Sequence, residues 1–178
     1  MRRIGIIGPE SVGKSTLCNT LSERCGYSWV AEYARGYVEA LTRPYTYDDV
    51  CAIARRQIEE LRQPLTFATR VSSKDVVLYD TELIITKVWM LHVFGKVAAE
   101  VEHYIQSQPM DLYLILMPDI SAEPDPVREN LDKRDYFAQW YIREVERTRQ
   151  PYYLISGQGG QRLAAAEDAI TAFLSAHS

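Results

Sequence analysis

The sequence lacks any run of apolar residues long enough to cross a membrane, for which roughly 20 consecutive residues are needed. Its two main apolar tracts, residues 83–94 and 112–117, are short or are interrupted by Lys87 and His92. The apolar stretch behind the N-terminal arginines covers only residues 4–7, which is too little for a signal peptide. These absences argue against a membrane protein and against a secreted one, and they predict a cytoplasmic chain.

Cysteine is scarce, and basic residues are not concentrated anywhere along the chain. The three cysteines are odd in number and lack the close pairs, with matching histidines, that a zinc site requires. We therefore expect reduced thiols, with Cys18 in the core. Lysine and arginine total 20 against 24 acidic residues, and no helical face collects them without acidic neighbours. This balance argues against nucleic acid as a partner.

What the sequence does contain is a globular composition, with 47% hydrophobic and 25% charged residues among 178. That length suits one domain, which we expect to span residues 1–178. Five short β-rich runs alternate with segments of helical period, and they lie at residues 4–7, 28–31, 76–79, 112–117 and 152–155. The alternation predicts an α/β fold in which βαβ units build a parallel sheet.

Three segments place apolar residues at helical spacing and are predicted to pack as helices on that sheet. They run from Val50 to Leu61, from Phe137 to Val145 and from Leu163 to Phe173. Thr46 is the expected N-cap of the first of these helices, and Pro64 should kink or end it.

A glycine-rich segment follows the first predicted strand and reads Gly8-Pro9-Glu10-Ser11-Val12-Gly13-Lys14-Ser15-Thr16. It matches the Walker A pattern of P-loop NTPases, and a helix is predicted to start near Ser15. The glycines let successive N–H groups face the phosphates of ATP, while Lys14 reaches the outer phosphates and Ser15 ligates Mg²⁺. The alternative is a glycine-rich turn that only caps a helix. We interpret residues 8–16 as the ATP-binding loop.

Asp80 directly follows the predicted strand at residues 76–79. A carboxylate at the end of a buried strand is typical of the Walker B position, which holds Mg²⁺ or its waters beside the phosphate loop. The alternative is that Asp80 caps the next helix, as acidic residues after strands often do. Because the Walker A loop is also present, we predict that Asp80 and Ser15 together hold the metal.

A second carboxylate, Glu32, comes just past the second predicted strand and is followed by Tyr33, Arg35 and Tyr37. Ligands of parallel α/β sheets bind at that edge. A carboxylate there can orient or deprotonate the hydroxyl of an acceptor, and the tyrosines can face an aromatic ring. The alternative is an ion-paired helix N-terminus. We treat these four residues as candidates for binding the acceptor.

The connection at residues 118–134 does not fit the alternating pattern, because it is rich in proline and charge and has few large apolar side chains. We predict an exposed, mobile lid there. Arg128 and Arg134 can fold over the triphosphate and stabilise charge on the transferring phosphoryl group. The alternative is that both arginines belong to an ordinary solvated surface.

Taken together, these residues resemble the ribosylnicotinamide kinase domain of NadR-type proteins over nearly the whole chain. The resemblance rests on the loop at residues 8–17, on Glu32-Tyr33-Ala34-Arg35, on Tyr79-Asp80-Thr81-Glu82 with Thr86, and on Asp125-Pro126-Val127-Arg128 followed by Arg134. It implies transfer of the γ-phosphoryl group of ATP to the 5′-hydroxyl of nicotinamide riboside, giving nicotinamide mononucleotide. It also implies a nucleoside-kinase-like fold, a five-stranded parallel sheet of order 2-3-1-4-5 with helices on both faces. The chain departs from the family at Ala122, at Asp125-Pro126 and at Glu82, positions expected near the acceptor.

We therefore predict an ATP-dependent small-molecule kinase whose catalytic groups are Lys14, Glu32, Asp80, Arg128 and Arg134. Glu32 is assigned to the acceptor hydroxyl and Asp80 to the metal, although either carboxylate can serve as the base. The alternative is an ATPase or nucleotide-dependent switch with no small acceptor. A Ras-like GTPase is disfavoured, because the segment after Asp80 lacks the glycine of a DxxG switch and no NKxD motif occurs.

Overall fold

In the computed structural model, which describes residues 1–72, 74–121 and 130–177, five strands form one sheet. The strands are β1 (Arg2–Ile7), β2 (Ser28–Val30), β3 (Val76–Asp80), β4 (Leu112–Leu116) and β5 (Tyr152–Ile155). Their order across the sheet is β2-β3-β1-β4-β5, and every neighbouring pair is parallel. The predicted α/β class, the strand order and the approximate position of each strand are confirmed.

Helices connect the successive strands and cover the sheet. They are α1 (Lys14–Cys25), α2 (Tyr33–Glu39), α3 (Tyr47–Arg62), α4 (Pro64–Phe67), α5 (Leu83–Phe94), α6 (Ala99–Ser107), α7 (Arg134–Thr148) and α8 (Gly160–Ala176). A short 3-10 turn at Leu131–Lys133 precedes α7. Among the described helices, none combines the length and the apolar character that crossing a membrane requires.

The side chains of the strands alternate between the two faces of the sheet, so a hydrophobic core lies on each side. Leu78 and Leu114 belong to one core, which α1 and α8 cover. Tyr79 and Ile115 belong to the other, which α3, α5 and α7 cover. Both β3 and β4 are buried along their whole length. Burial on both faces explains why these strands are continuous apolar runs in the sequence.

The start and the end of α3 confirm two local predictions. The hydroxyl of Thr46 accepts a hydrogen bond from the backbone N–H of Asp49, and the Asp49 carboxylate accepts one from the N–H of Thr46 at 2.7 Å. This reciprocal pair is a capping box. Helix α3 ends at Arg62, and Pro64 opens the short α4. Cys18 is buried, as predicted, and all three cysteines are free thiols.

The register of the sheet brings three candidate segments together. Ile6 of β1 lies opposite Asp80 of β3, and β2 pairs with the other side of β3. The segments that follow β1, β3 and β2 therefore emerge side by side at the carboxyl edge of the sheet. They carry the glycine-rich loop, Asp80 and Glu32.

Candidate active site

The loop between β1 and α1 has a backbone that requires glycine at two positions. Gly8 has a φ of 152°, and a Cβ atom there would lie 2.7 Å from the carbonyl oxygen of Leu116. Gly13 has a φ of 80° and is followed at once by α1, which begins at Lys14. The free N–H groups at the start of α1 therefore face the loop, as a phosphate site requires.

Lys14 folds back along the rim of this loop. Its Nζ atom donates hydrogen bonds to the carbonyl oxygens of Gly8 at 3.1 Å and Pro9 at 3.0 Å. The side chain also lines the cavity described below. Phosphate oxygens can replace these carbonyl acceptors, so the position of Lys14 suits the role predicted for it.

Asp80 lies at the end of β3, beside the start of α1. Its side chain is buried, and burial raises its pKa, while Lys14 and a hydrogen bond with Ser15 act in the opposite direction. Its Oδ1 atom has no hydrogen-bond partner among the described residues. Mg²⁺ is usually held by one or two protein oxygens together with phosphate oxygens and water. A spare carboxylate oxygen beside a serine hydroxyl fits that requirement, so Ser15 and Asp80 are suited to hold the metal.

The N-cap of α5 is Glu82, so the alternative capping role of Asp80 does not hold. Glu82 accepts a hydrogen bond from the backbone N–H of Ile84 at 2.9 Å. Its side chain is buried against Gly5 of β1 and does not line the cavity. Burial raises the pKa of this carboxyl to about 8. Glu82 therefore caps α5, and the structure gives no support to the expectation that it lies near the acceptor.

A cavity of about 460 Å³ extends from the glycine-rich loop across the carboxyl edge of the sheet. Residues 8–15 line the part that we call its phosphate end, Tyr45, Trp89 and Phe137 line the part that we call its aromatic end, and Tyr141 also lines the cavity. Glu32 and Arg35 also line it. The structure thus brings the predicted ATP loop and two of the four predicted acceptor residues into one cavity.

Glu32 occupies the N-cap position of α2, but its side chain makes no capping hydrogen bond. Burial is the main reason why its pKa is raised; Lys14 opposes that shift and Asp80 adds to it. Glu32 and Lys14 line the same cavity. A carboxyl with a raised pKa beside the phosphate loop is suited to accept a proton from a hydroxyl.

Tyr33 and Tyr37 do not line the cavity. The guanidinium of Arg56 lies over the ring of Tyr33, 5.0 Å from its centre, and the hydroxyl of Tyr37 donates to Asp49 at 3.1 Å. Both tyrosines therefore connect α2 to α3, and their predicted contact with an aromatic acceptor has no support in this geometry. Arg35 does line the cavity, and its Nε donates to Glu39 at 2.9 Å.

Aromatic side chains from other elements line the cavity instead. Tyr45 packs edge-on against Trp89, and His92 packs edge-on against Phe137, with ring centres 4.9 Å apart in each pair. All four line the cavity, together with Tyr141. From the sequence, Phe137 and Tyr141 were predicted only to pack a helix on the sheet. Trp89 and His92 were not predicted, although they lie three residues apart on one face of α5.

Arg43 fixes the segment that carries Tyr45. Its two terminal nitrogens donate to the carboxylate of Asp49 at 2.6 and 2.9 Å, and Asp49 also accepts from Thr46 and Tyr37. The hydrogen bonds from Arg43 and Thr46 hold the pKa of Asp49 well below its usual range. This ionised carboxylate therefore ties the segment before α3 to the aromatic end of the cavity.

The described parts of the predicted lid contact the glycine-rich loop. Arg134 donates to the carbonyl oxygens of Ser11 at 3.3 Å and Ile120 at 2.7 Å. Glu10 accepts a hydrogen bond from the backbone N–H of Asn130 at 3.0 Å. Arg134 is thus placed beside the phosphate loop. Arg128 and its neighbours at residues 122–129 lie outside the described residues, so their role and the lid itself stay predictions.

Arg162, which the sequence analysis missed, is a buried cation behind the loop. Its guanidinium donates to the carbonyl oxygens of Val12 at 2.5 Å, Met117 at 2.9 Å and Gly157 at 2.9 Å, and it pairs with Asp119. Asp119 in turn accepts from the N–H of Gly157 at 2.6 Å. Arg162 therefore joins the glycine-rich loop to the segments that follow β4 and β5. Its partners are far apart in the sequence, so no local pattern marks it.

Three features define this chain as a P-loop nucleotide-binding protein. They are a glycine-rich loop at a helix N-terminus, a buried carboxylate beside it, and a parallel sheet of order 2-3-1-4-5. The family model described as AAA domain matches residues 3–162. The chain therefore belongs to that family.

Solved structures share this fold. A NadR protein in complex with NR superposes with a TM-score of 0.82 at 21% identity over 98% of this chain. A NadR protein in complex with NAD and AMP-PNP superposes with a TM-score of 0.74 at 21% identity over 97% of this chain. This chain spans 52% and 49% of those two longer chains.

A deoxyadenosine kinase from M. mycoides, with dCMP and dCDP bound, is also similar. Its TM-score is 0.63 at 12% identity, and 96% of this chain and 99% of that one are covered. No curated protein sequence matches this chain. The resemblance to NadR-type proteins and the nucleoside-kinase-like fold are thereby confirmed.

Proposed function

We propose that this protein is an ATP-dependent small-molecule kinase that phosphorylates the 5′-hydroxyl of nicotinamide riboside to give nicotinamide mononucleotide. The observation that carries the proposal is the single cavity that runs from the phosphate loop to an aromatic end, with Glu32 on its wall. A kinase needs both ends, one for the nucleotide and one for the acceptor. The negative net charge further supports a small molecule rather than nucleic acid as the acceptor.

The phosphate end binds ATP through the backbone N–H groups of residues 10–16 and through Lys14. Release of Lys14 from the carbonyl oxygens of Gly8 and Pro9 lets its ammonium pair with the outer phosphates. Ser15 and Asp80 are the residues that would hold Mg²⁺. When bound, that ion neutralises charge on the β- and γ-phosphates. Arg134 lies close enough to the loop to stabilise the transferred group.

The chemical step joins the acceptor oxygen to the γ-phosphorus and breaks the bond from that phosphorus to the oxygen bridging to the β-phosphate. Glu32 accepts the proton of the hydroxyl, and ADP leaves with the bridging oxygen. Little bonding to the nucleophile exists in a loose transition state, so orientation of the hydroxyl matters more than strong basicity. Glu32 serves both needs, because its raised pKa lies closer to neutral pH.

The aromatic end suits a flat ring on the acceptor. The rings of Tyr45, Trp89 and Phe137 offer faces and edges against which a flat ring can stack. A NadR protein with the same fold binds NR, which supports this acceptor. The deoxyadenosine kinase of similar fold supports the wider class of nucleosides.

The test is ADP release with Mg-ATP across a panel of nucleosides, using Lys14→Ala as the inactive control. The proposal predicts that nicotinamide riboside accelerates ADP release well above the rate without acceptor. Faster ADP release with another nucleoside would support kinase activity and identify that nucleoside as the acceptor. A rate indifferent to every nucleoside would favour the alternative, an ATPase or nucleotide-dependent switch.

A further inference from the structure

Thr81, which directly follows Asp80, has a backbone conformation that β-branched residues rarely adopt. Its φ is 68°, in the left-handed region where the Cβ atom crowds the backbone. The N–H of Thr81 donates to the carbonyl oxygen of Ile6 at 3.2 Å, which extends the pairing of β1 and β3 by one residue. The residue is therefore held in a strained conformation by its neighbours, and such strain concentrates at functional sites.

The hydroxyl of Thr81 is also buried without a partner. The residue is 8% exposed and lines the cavity, yet its Oγ1 atom makes no hydrogen bond to any described residue. The Oδ1 atom of the neighbouring Asp80 is likewise buried without a hydrogen-bond partner among the described residues. Buried polar atoms in native proteins are nearly always paired, so an unpaired hydroxyl on a residue that lines a cavity indicates a ligand that pairs with it.

The position of Thr81 indicates which group of the ligand pairs with its hydroxyl. Strand β3 lies between β1 and β2, so Thr81 emerges between the phosphate loop and Glu32. On the proposed function, the γ-phosphoryl group crosses that gap, from the nucleotide at the loop to the hydroxyl beside Glu32. Its oxygens accept hydrogen bonds, and the Thr81 hydroxyl can donate one.

We infer that Thr81 is a catalytic residue whose hydroxyl donates a hydrogen bond to a γ-phosphoryl oxygen during transfer. The inference rests on the proposed function and adds a contact to its site. A donor aimed at charge in the transition state acts on turnover more than on ground-state binding. Loss of the hydroxyl should therefore lower kcat about 10- to 100-fold while both KM values stay nearly constant.

Thr81→Val tests the contact, because valine keeps the shape and loses the hydroxyl. The inference predicts the fall in kcat together with unchanged or greater stability, since an unpaired buried hydroxyl has been removed. Thr81→Ser keeps the hydroxyl and should retain turnover. Thr81→Ala removes the hydroxyl and the branched Cβ, so it should repeat the loss of kcat if valine does not fold.

Thr86→Val is the matched control for stability. The hydroxyl of Thr86 lines the same cavity but donates to Gln57 at 2.7 Å, so its removal should lower the melting temperature. If the Thr81 hydroxyl had only a structural role, Thr81→Val would resemble Thr86→Val and show a lower melting temperature with a wild-type kcat. That result would overturn the inference, as would a rise confined to the KM of the acceptor.

A binding measurement separates this inference from the proposed function. ADP with aluminium fluoride and Mg²⁺ mimics the transferring phosphoryl group and needs no knowledge of the acceptor. Thr81→Val should bind this mixture at least 10-fold more weakly than wild type, with unchanged affinity for ADP alone. Equal affinity for the mixture would overturn the inference. A wild-type protein that phosphorylates no nucleoside would refute the proposed function and leave this comparison valid.

Discussion

Replacing Arg162 with methionine should destabilise the protein more than any exposed arginine substitution. Methionine fills much of the same volume but donates no hydrogen bonds. The carbonyl oxygens of Val12, Met117 and Gly157 would lose their donor, and Asp119 would lose its cation. The Arg162 side chain is only 6% exposed, so water reaches its carbonyl partners poorly.

The size of the effect follows from these contacts. Each hydrogen bond to a charged group contributes about 1.5–3 kcal/mol, but the four contributions do not add, because partial relaxation readmits water. Water can solvate the Asp119 carboxylate once Arg162 is gone, because that side chain is 37% exposed, so the lost ion pair adds less than the roughly 3–5 kcal/mol of a fully buried pair. We therefore expect a loss of about 4 kcal/mol in the free energy of unfolding. For a domain of this length that corresponds to a fall of roughly 10 °C in Tm.

Urea denaturation of Arg162→Met beside Arg55→Met measures the difference. Arg55 forms an exposed pair with Glu100 at 3.0 Å, with side chains 62% and 43% exposed, so its loss should cost less than about 1 kcal/mol. Arg162→Met should also bind ATP more weakly under conditions where it is folded, because Val12 belongs to the phosphate loop. A loss of stability no larger than that of Arg55→Met would refute the structural role assigned to Arg162.

Four other predictions follow from the site. Lys14→Ala should lower kcat at least about 100-fold with an unchanged Tm, because its ammonium serves the phosphates and not the core; turnover near wild type would contradict this. Hydrogen exchange at residues 118–134 should slow when Mg-ATP and acceptor are both added, and unchanged protection would count against a lid. Glu32→Gln should lower turnover and acceptor affinity and spare ATP binding, whereas Asp80→Asn should raise the Mg²⁺ requirement; the reverse pattern would exchange their roles. Glu82→Gln should remove a pH dependence of stability. Because the pKa of Glu82 is raised to about 8 in the folded protein, the wild type should lose stability relative to the variant as pH rises from about 4 to 8. The loss should be on the order of 4 kcal/mol in the free energy of unfolding. Urea denaturation at pH 5 and pH 9 checks this, and a constant difference would contradict it.

The parts of the fold that were predicted are those where local sequence determines the structure. Strands β3 and β4 are buried on both faces, so they appear as short apolar runs whatever surrounds them. The glycine-rich loop needs glycine at residues 8 and 13 for reasons of backbone conformation, and that requirement is visible in the sequence. Thr46 was identifiable as a cap because its partner Asp49 is only three residues away.

The features of the site that the sequence did not predict depend on contacts between residues far apart in the chain. Helix α5 is apolar on nearly every side, so the face that Trp89 and His92 share could not be told from the rest of the helix. Glu82 was expected near the acceptor from the family resemblance, but it caps α5 and does not line the cavity. Tyr33 and Tyr37 are near Glu32 in sequence and yet face α3.

The central claim is transfer of a phosphoryl group from ATP to a hydroxyl of a nucleoside held at the aromatic end of the cavity. Phosphorus NMR of a reaction with Mg-ATP and nicotinamide riboside tests it most directly. The account predicts a new phosphomonoester on the 5′-carbon, formed in equal amount with ADP and absent in Lys14→Ala. ADP accompanied only by inorganic phosphate, with the nucleoside unchanged, would contradict it.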